Sequence, residues 1–81
     1  MTSATEYTRN LREALWRLAG IATRWETPTA FRISHVRVAV RTGYVSIEDL
    51  VSDEIAVLGW DADAVISHLR QWLTPMELIG E

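Results

Sequence analysis

The amino-acid sequence predicts a small all-α protein, a compact bundle of four helices at about residues 5–25, 28–42, 46–58 and 61–73. Two observations predict this fold class. Apolar residues recur through most of the chain at the three- and four-residue spacing of an amphipathic helix. Ser46 and Asp61, whose side chains can cap a helix, each precede such a segment. With 81 residues, the chain is expected to form a single domain over 1–81, and its small core makes a stabilising second copy plausible.

The first segment also indicates a binding surface. Its apolar stripe follows one helix face from Tyr7 to Trp25, whereas Trp16 projects to the opposite side, near Arg12 and Gly20. A tryptophan among small residues on the far side of an amphipathic helix is typical of a second packing surface. The alternative is that Arg12, one turn earlier, merely stacks on an exposed Trp16 ring.

The second segment permits two interpretations. Val36, Val38 and Val40 alternate with polar or small residues, as in a strand, and residues 41–44 could close a hairpin within 31–47. That alternative is an α+β fold. However, Phe31 and Ile33 lie in the opposite phase, so one continuous strand would need a bulge. A helix ending at Gly43 is therefore preferred.

The third and fourth segments are predicted to form a helix-turn-helix at the centre of the domain. Glu54 falls within the apolar stripe of the third helix, so it is expected to pair with Arg37 or Arg41. Asp61 is predicted to cap the fourth helix, and a final turn is predicted at 76–79.

Composition and spacing argue against several functions. The chain has no cysteine, which excludes disulfides and thiolate metal sites. His35 and His68 lack ligand-spaced partners, and neither a nucleophile motif nor a phosphate-binding glycine loop occurs. The sequence therefore predicts a non-enzymatic protein without metal or cofactor. It has no apolar run long enough to span a membrane and no signal pattern, so a cytoplasmic location is expected.

Charge is divided between the two halves of the chain. Residues 1–41 contain seven arginines and three acidic residues, whereas residues 42–81 contain one arginine and eight acidic residues. The acidic half suggests a second protein-binding surface, formed by Asp49, Asp53, Asp61 and Asp63. A phage-borne inhibitor that imitates nucleic acid is one version of this hypothesis.

Residues 43–69 carry a resemblance to a known class. The run Gly43–Leu50, the Leu58–Asp61 stretch and the later Val65 and Leu69 resemble the helix-turn-helix of winged-helix and related bacterial regulators. The resemblance implies a recognition helix at 61–73 in the DNA major groove. Phosphate contacts would then come from arginines elsewhere in the chain, namely Arg9, Arg17, Arg24, Arg37, Arg41 and Arg70. The acidic second half disfavours this reading.

The sequence therefore favours a regulatory or adaptor protein that binds another protein or itself, the latter as a homodimer. Trp16, with Arg12 and Gly20, is the preferred interface, and the four aspartates are the second. A helix-turn-helix DNA-binding regulator is the alternative.

Overall fold

Residues 2–74, described by a computed structural model, form an α+β fold with two helices and one sheet. The elements are α1 (Ala4–Ala19), β1 (Arg24–Thr27), β2 (Ala30–Ile33), β3 (Val36–Arg41), β4 (Tyr44–Asp49), β5 (Ile55–Leu58) and α2 (Ala62–Trp72). The five strands form an antiparallel meander in the order β1-β2-β3-β4-β5. The all-α prediction of four helices is therefore wrong, and the α+β alternative with a hairpin in 31–47 is closer to the structure.

Helix α1 is shorter than predicted at its carboxyl end. Ser3 caps its amino end by accepting a hydrogen bond from the Glu6 amide, and Gly20, which has φ +66°, caps its carboxyl end. Glycine adopts this left-handed conformation without steric cost. Ile21 lies beyond the end of α1 but is still buried in the core, as the apolar spacing of the sequence predicts. Its amide donates a hydrogen bond to the Leu15 carbonyl at 3.0 Å.

The predicted second helix, 28–42, consists instead of strands β2 and β3. A two-residue turn at Ser34 and His35 joins them and pairs Ile33 with Val36. Such a turn changes the buried positions from odd to even numbers, since residues paired across it face the same side of the sheet. The phase conflict between Phe31 and Val36 thus reflects a turn, and no bulge is needed there.

The predicted third helix, 46–58, consists of β4, a turn at residues 50–54, and β5. The Asp49 carboxylate accepts hydrogen bonds from the amides of Val51 and Ser52, which fixes this turn. Glu54 is exposed there and accepts from the Ser52 hydroxyl. The predicted pairing of Glu54 with Arg37 or Arg41 is wrong, because Arg37 contacts Glu26 and Glu48 instead.

Helix α2 lies within the predicted fourth helix. Asp61 caps it, as predicted, by accepting hydrogen bonds from the amides of Asp63 and Ala64. A strand rather than a helix precedes α2, so the central helix-turn-helix does not form and α2 is not its recognition helix. The final turn predicted at 76–79 lies outside the described residues.

Both helices cover the same face of the sheet and enclose the core with it. The core joins Leu11 and Leu15 of α1, Val65 and Leu69 of α2, and alternate residues of the three central strands: Phe31, Ile33, Val36, Val38, Val40, Val45 and Ile47. The opposite face of the sheet carries the other alternation phase, including Arg24, Arg32, Arg37 and Glu48, which are cross-strand neighbours. No strand or helix of residues 2–74 covers that open face.

Candidate functional site

A shallow groove lies beside Trp16 on the outer side of α1. The outer face of α1 and the segment that follows it line an open groove of about 390 Å³. Its lining residues are Arg9, Arg12, Glu13, Trp16, Ile21, Ala22 and Thr23, and we refer to them as the Trp16 groove. The Trp16 side chain is 64% exposed. A large indole left exposed beside a concave surface is typical of a binding site.

Arg12 is held rigidly at one side of the Trp16 groove. Its Nε donates to Thr23 Oγ1 at 2.5 Å, and its Nη2 donates to the Thr23 carbonyl at 3.0 Å. The guanidinium carbon lies 4.0 Å from the centroid of the Trp25 ring. The alternative that Arg12 stacks on Trp16 is therefore wrong: it stacks on Trp25, and the Trp16 ring is left available.

The environment of Arg12 is suited to an anion. Burial lowers the pKa of its guanidinium, and no carboxylate within residues 2–74 lies in ion-pair range to compensate. A guanidinium presents donors in a planar fork that matches carboxylate or phosphate geometry. With Nε and Nη2 bound to Thr23, Nη1 remains available to a ligand.

The other charges of the groove leave it positive. Arg9 has no ion-pair partner within the described range, whereas Glu13 lies 3.9 Å from Arg17 on the exposed surface of α1. Gly20, predicted with Trp16, ends α1 through its positive φ, and a Cβ there would meet nothing within 4 Å. Trp16, Arg12 and Gly20 thus lie close together, but Gly20 has a backbone role.

Trp25, which packs against Arg12 at the edge of the Trp16 groove, is not predicted as a site residue by the sequence. The apolar spacing predicts Trp25 on the buried stripe of a longer helix, whereas it lies in β1 with 46% of its surface exposed. The signal that could have found it is Gly20, a glycine that can end α1 before residue 25.

The four predicted acidic site residues do not form one surface. Asp49 and Asp53 lie at the turn that enters β5, whereas Asp61 and Asp63 follow the other end of that strand. Asp49 and Asp61 are also occupied by the turn and helix amides that they cap. Hydrogen bonds from the Ser52 and Val51 amides, together with His35, hold the pKa of Asp49 below its ordinary value. The acidic-surface hypothesis therefore loses its geometric basis.

The arginines of the DNA-binding alternative are dispersed. Arg9 and Arg17 lie on α1 and Arg70 on α2, whereas the side chains of Arg24, Arg37 and Arg41 belong to the opposite, open face of the sheet. Arg37 is bound by Glu26 at 2.8 Å. The six side chains do not make a continuous track for phosphates.

Ser34, His35 and Asp49 are the one serine–histidine–aspartate arrangement found in residues 2–74. Ser34 Oγ lies 3.3 Å from His35 Nδ1, and His35 Nε2 lies 3.5 Å from Asp49 Oδ2. The Leu50 amide donates to the His35 carbonyl at 2.8 Å, so the contacts join two adjacent turns of the sheet.

The described residues contain no group of three or more histidine, cysteine, aspartate or glutamate side chains placed to hold a metal ion. Neither helix of this range is both long and apolar enough for a membrane crossing.

Comparisons of the chain with protein families, with curated proteins and with solved structures find no match.

Proposed function

We propose that this chain is a small, non-enzymatic binding module that holds a short acidic segment of a partner protein in the Trp16 groove. One observation carries the proposal: Arg9 and Arg12 line this groove without a carboxylate partner in the described structure, beside an exposed Trp16. Arg12 is held in place by hydrogen bonds from its guanidinium to Thr23. An external carboxylate is the ligand that would pair with both arginines.

The side chains of the groove also suggest what kind of acidic segment fits. Trp16 offers an apolar and aromatic surface, while Arg12 Nη1 and Arg9 offer charged donors. Tryptophan and arginine are the residues that most often supply the binding energy of protein interfaces. A segment with an apolar side chain next to aspartate or glutamate would contact both.

A protein ligand is favoured over nucleic acid because of the charge distribution. Strong nucleic-acid binding depends on the neutralisation of many phosphates, typically about six to ten. The Trp16 groove supplies two arginines, and the protein as a whole has a net charge of −3. Of the further arginines needed for a phosphate track, Arg17 lies on α1 beside Glu13, and the others lie on the open face of the sheet or on α2.

Fluorescence anisotropy of three labelled probes tests the proposal. The probes are a short peptide in which glutamate alternates with leucine, the same peptide with glutamine in place of glutamate, and a single-stranded oligothymidylate. The glutamate peptide is expected to bind, and to bind at least about tenfold more weakly to Arg12→Gln and Trp16→Ala, which corresponds to about 1.4 kcal/mol. Arg70→Gln on α2 removes the same charge elsewhere and is the matched control.

Three outcomes would contradict the proposal. Equal binding of the glutamine peptide would exclude carboxylate recognition, and preferential binding of the oligothymidylate would indicate a nucleic-acid module instead. A loss with Arg70→Gln as large as the loss with Arg12→Gln would show that net charge, rather than the groove, determines affinity. Circular dichroism of each variant establishes that the fold is retained.

A further inference from the structure

The two edges of the sheet are built differently. At the β1 edge the register shifts between Trp25 and Thr27, and the strand carries the charged Arg24 and Glu26. Bulges and charges of this kind prevent one sheet edge from pairing with another. The β5 edge is regular, contains no charged residue within Ile55–Leu58, and exposes Ile55 and Val57 by 62% and 63%.

The hydrogen-bond pattern shows which backbone groups of β5 point outward. The Asp49 amide donates to the Glu54 carbonyl at 2.8 Å, so these two residues form a hydrogen-bonded pair. Hydrogen-bonded and non-hydrogen-bonded pairs alternate along an antiparallel ladder. Ile55 and Val57, opposite Glu48 and Ser46, are therefore non-hydrogen-bonded with β4. Their N–H and C=O groups point to the free edge.

This arrangement is complementary to itself. If a second β5 lies antiparallel with Ala56 opposite Ala56, each Ile55 faces the Val57 of the other copy. Both residues of each such pair carry outward donors and acceptors, so the two symmetric pairs exchange four hydrogen bonds. The same register keeps the acidic turn residues Asp53 and Glu54 of the two copies at opposite ends of the contact, where they do not repel each other closely.

We propose that β5 pairs with β5 of a second copy of this chain about a two-fold axis at Ala56, which joins five strands from each copy into one ten-stranded sheet. On the open face, the four exposed side chains of Ile55 and Val57 then become cross-strand neighbours. Aliphatic β-branched pairs stabilise such contacts. A C2 pairing of this kind closes on itself, because each β5 has only one free edge. The dimer uses a surface separate from the Trp16 groove.

Sedimentation velocity over a range of concentrations tests the pairing. The wild-type chain is expected to dimerise. Val57→Pro should raise the dimer dissociation constant by at least about tenfold, since it removes an outward amide from each copy. Because this amide does not bind β4, proline is tolerated there, as on other edge strands. Val57→Lys should weaken the dimer similarly, whereas Val51→Lys, in the preceding turn and 78% exposed, is the matched control.

A cysteine variant tests the register. Ala56→Cys would place two thiols in a non-hydrogen-bonded pair, with Cα atoms about 4.5 Å apart, within the range that a disulfide spans. It should form a covalent dimer in air, and the chain has no other cysteine. Ser46→Cys on the neighbouring strand β4 should remain monomeric under denaturing, non-reducing conditions.

A wild-type chain that stays monomeric at every concentration would overturn the proposal. So would a dimer that both Val57 variants leave intact, or equal crosslinking of the Ser46 and Ala56 cysteine variants. Binding of the acidic peptide to the Val57 variants is expected to match the wild type, so loss of the dimer is distinguishable from failure of the groove.

Discussion

Trp60 stacks on Tyr7 with the ring centroids 4.5 Å apart and the ring planes within 4° of parallel. The indole N–H of Trp60 donates to the carbonyls of Arg41 and Tyr44, at 2.9 and 3.2 Å. This pair therefore connects α1 to the turn between β3 and β4. The Tyr7 hydroxyl, in contrast, is buried and has no hydrogen-bond partner among residues 2–74.

Tyr7→Phe is expected to increase the free energy of unfolding by about 1 kcal/mol, because a buried hydroxyl without a partner costs its desolvation. The phenylalanine ring keeps the stack on Trp60. Urea denaturation followed by circular dichroism measures the change. Tyr44→Phe, at a ring that is 42% exposed, should be neutral. A destabilised Tyr7→Phe protein would mean that the hydroxyl has a favourable contact.

Tyr7→Phe should also change how the stability of the protein depends on pH above pH 10. Burial, and secondarily the negative charge of Asp61, raise the pKa of Tyr7 above its ordinary value of 10.0. The folded state thus favours the protonated ring, and this stabilisation is present below pH 10 and is lost as the pH rises through the folded-state pKa. The advantage of Tyr7→Phe over the wild type should therefore widen above pH 10 in thermal melts. A constant difference would contradict the assignment.

The turns between the strands made the sheet difficult to predict from the sequence. Residues of the hydrophobic core occupy odd positions in β2, even positions in β3 and odd positions again in β4, as Ile33, Val36, Val40 and Val45 illustrate. Each change of phase falls at a two-residue turn, where Ile33 pairs with Val36 and Arg41 with Tyr44. Two consecutive strands whose apolar residues alternate in opposite phases give, when read as one segment, spacings of three and four residues. These are the spacings of a helix, so the sequence predicts a helix there.

Strand β5 was difficult to predict from the sequence for a different reason. Ile55 and Val57 are apolar although they face away from the core, so the strand shows no alternation of apolar and polar residues. The spacing of Ile47, Leu50, Val51, Ile55 and Leu58 matches that of an apolar stripe on a helix. If β5 pairs with a second copy, that contact explains why Ile55 and Val57 are apolar. The local preference of the strand does not explain it.

The helical spacing of α1 predicts Trp16 on the side opposite Leu11 and Leu15, and the Trp16 side chain is 64% exposed. The rest of the Trp16 groove depends on the end of α1 at Gly20, which brings Thr23 to Arg12. Contacts across such a chain reversal are not encoded in helical spacing. They need the three-dimensional path of residues 20–25.

Glu26 is expected to contribute to the loss of protein stability at acidic pH. Its carboxylate accepts hydrogen bonds from Arg37 and Arg32, at 2.8 and 3.2 Å, and these contacts lower the pKa of Glu26 below 4.5. A lowered pKa contributes stability that is present above pH 4.5 and is lost as the pH falls through the folded-state value. Glu26→Gln should therefore lower the melting temperature at pH 7 and reduce its fall on acidification.

Glu13→Gln is the control for Glu26→Gln. Glu13 Oε2 lies 3.9 Å from Arg17 Nη1 in an exposed ion pair, and such pairs contribute little to the free energy of unfolding. Melting temperatures of both variants at pH 7 and pH 3 give the comparison. An unchanged acid limb in Glu26→Gln would show that other carboxylates, Asp49 foremost, determine acid unfolding.

Replacing Gly20 with alanine should destabilise the carboxyl end of α1. Its φ of +66° is costly for any residue with a Cβ, although a Cβ there would meet nothing within 4 Å. The expected cost of Gly20→Ala is therefore that of the backbone alone, about 1–2 kcal/mol in the free energy of unfolding. Gly59→Ala provides the control, because that position is equally open and has no positive φ. Equal effects of the two variants in urea denaturation would mean that α1 does not end at a left-handed Gly20, and the position of Arg12 against Thr23 and Trp25 would then need another cause.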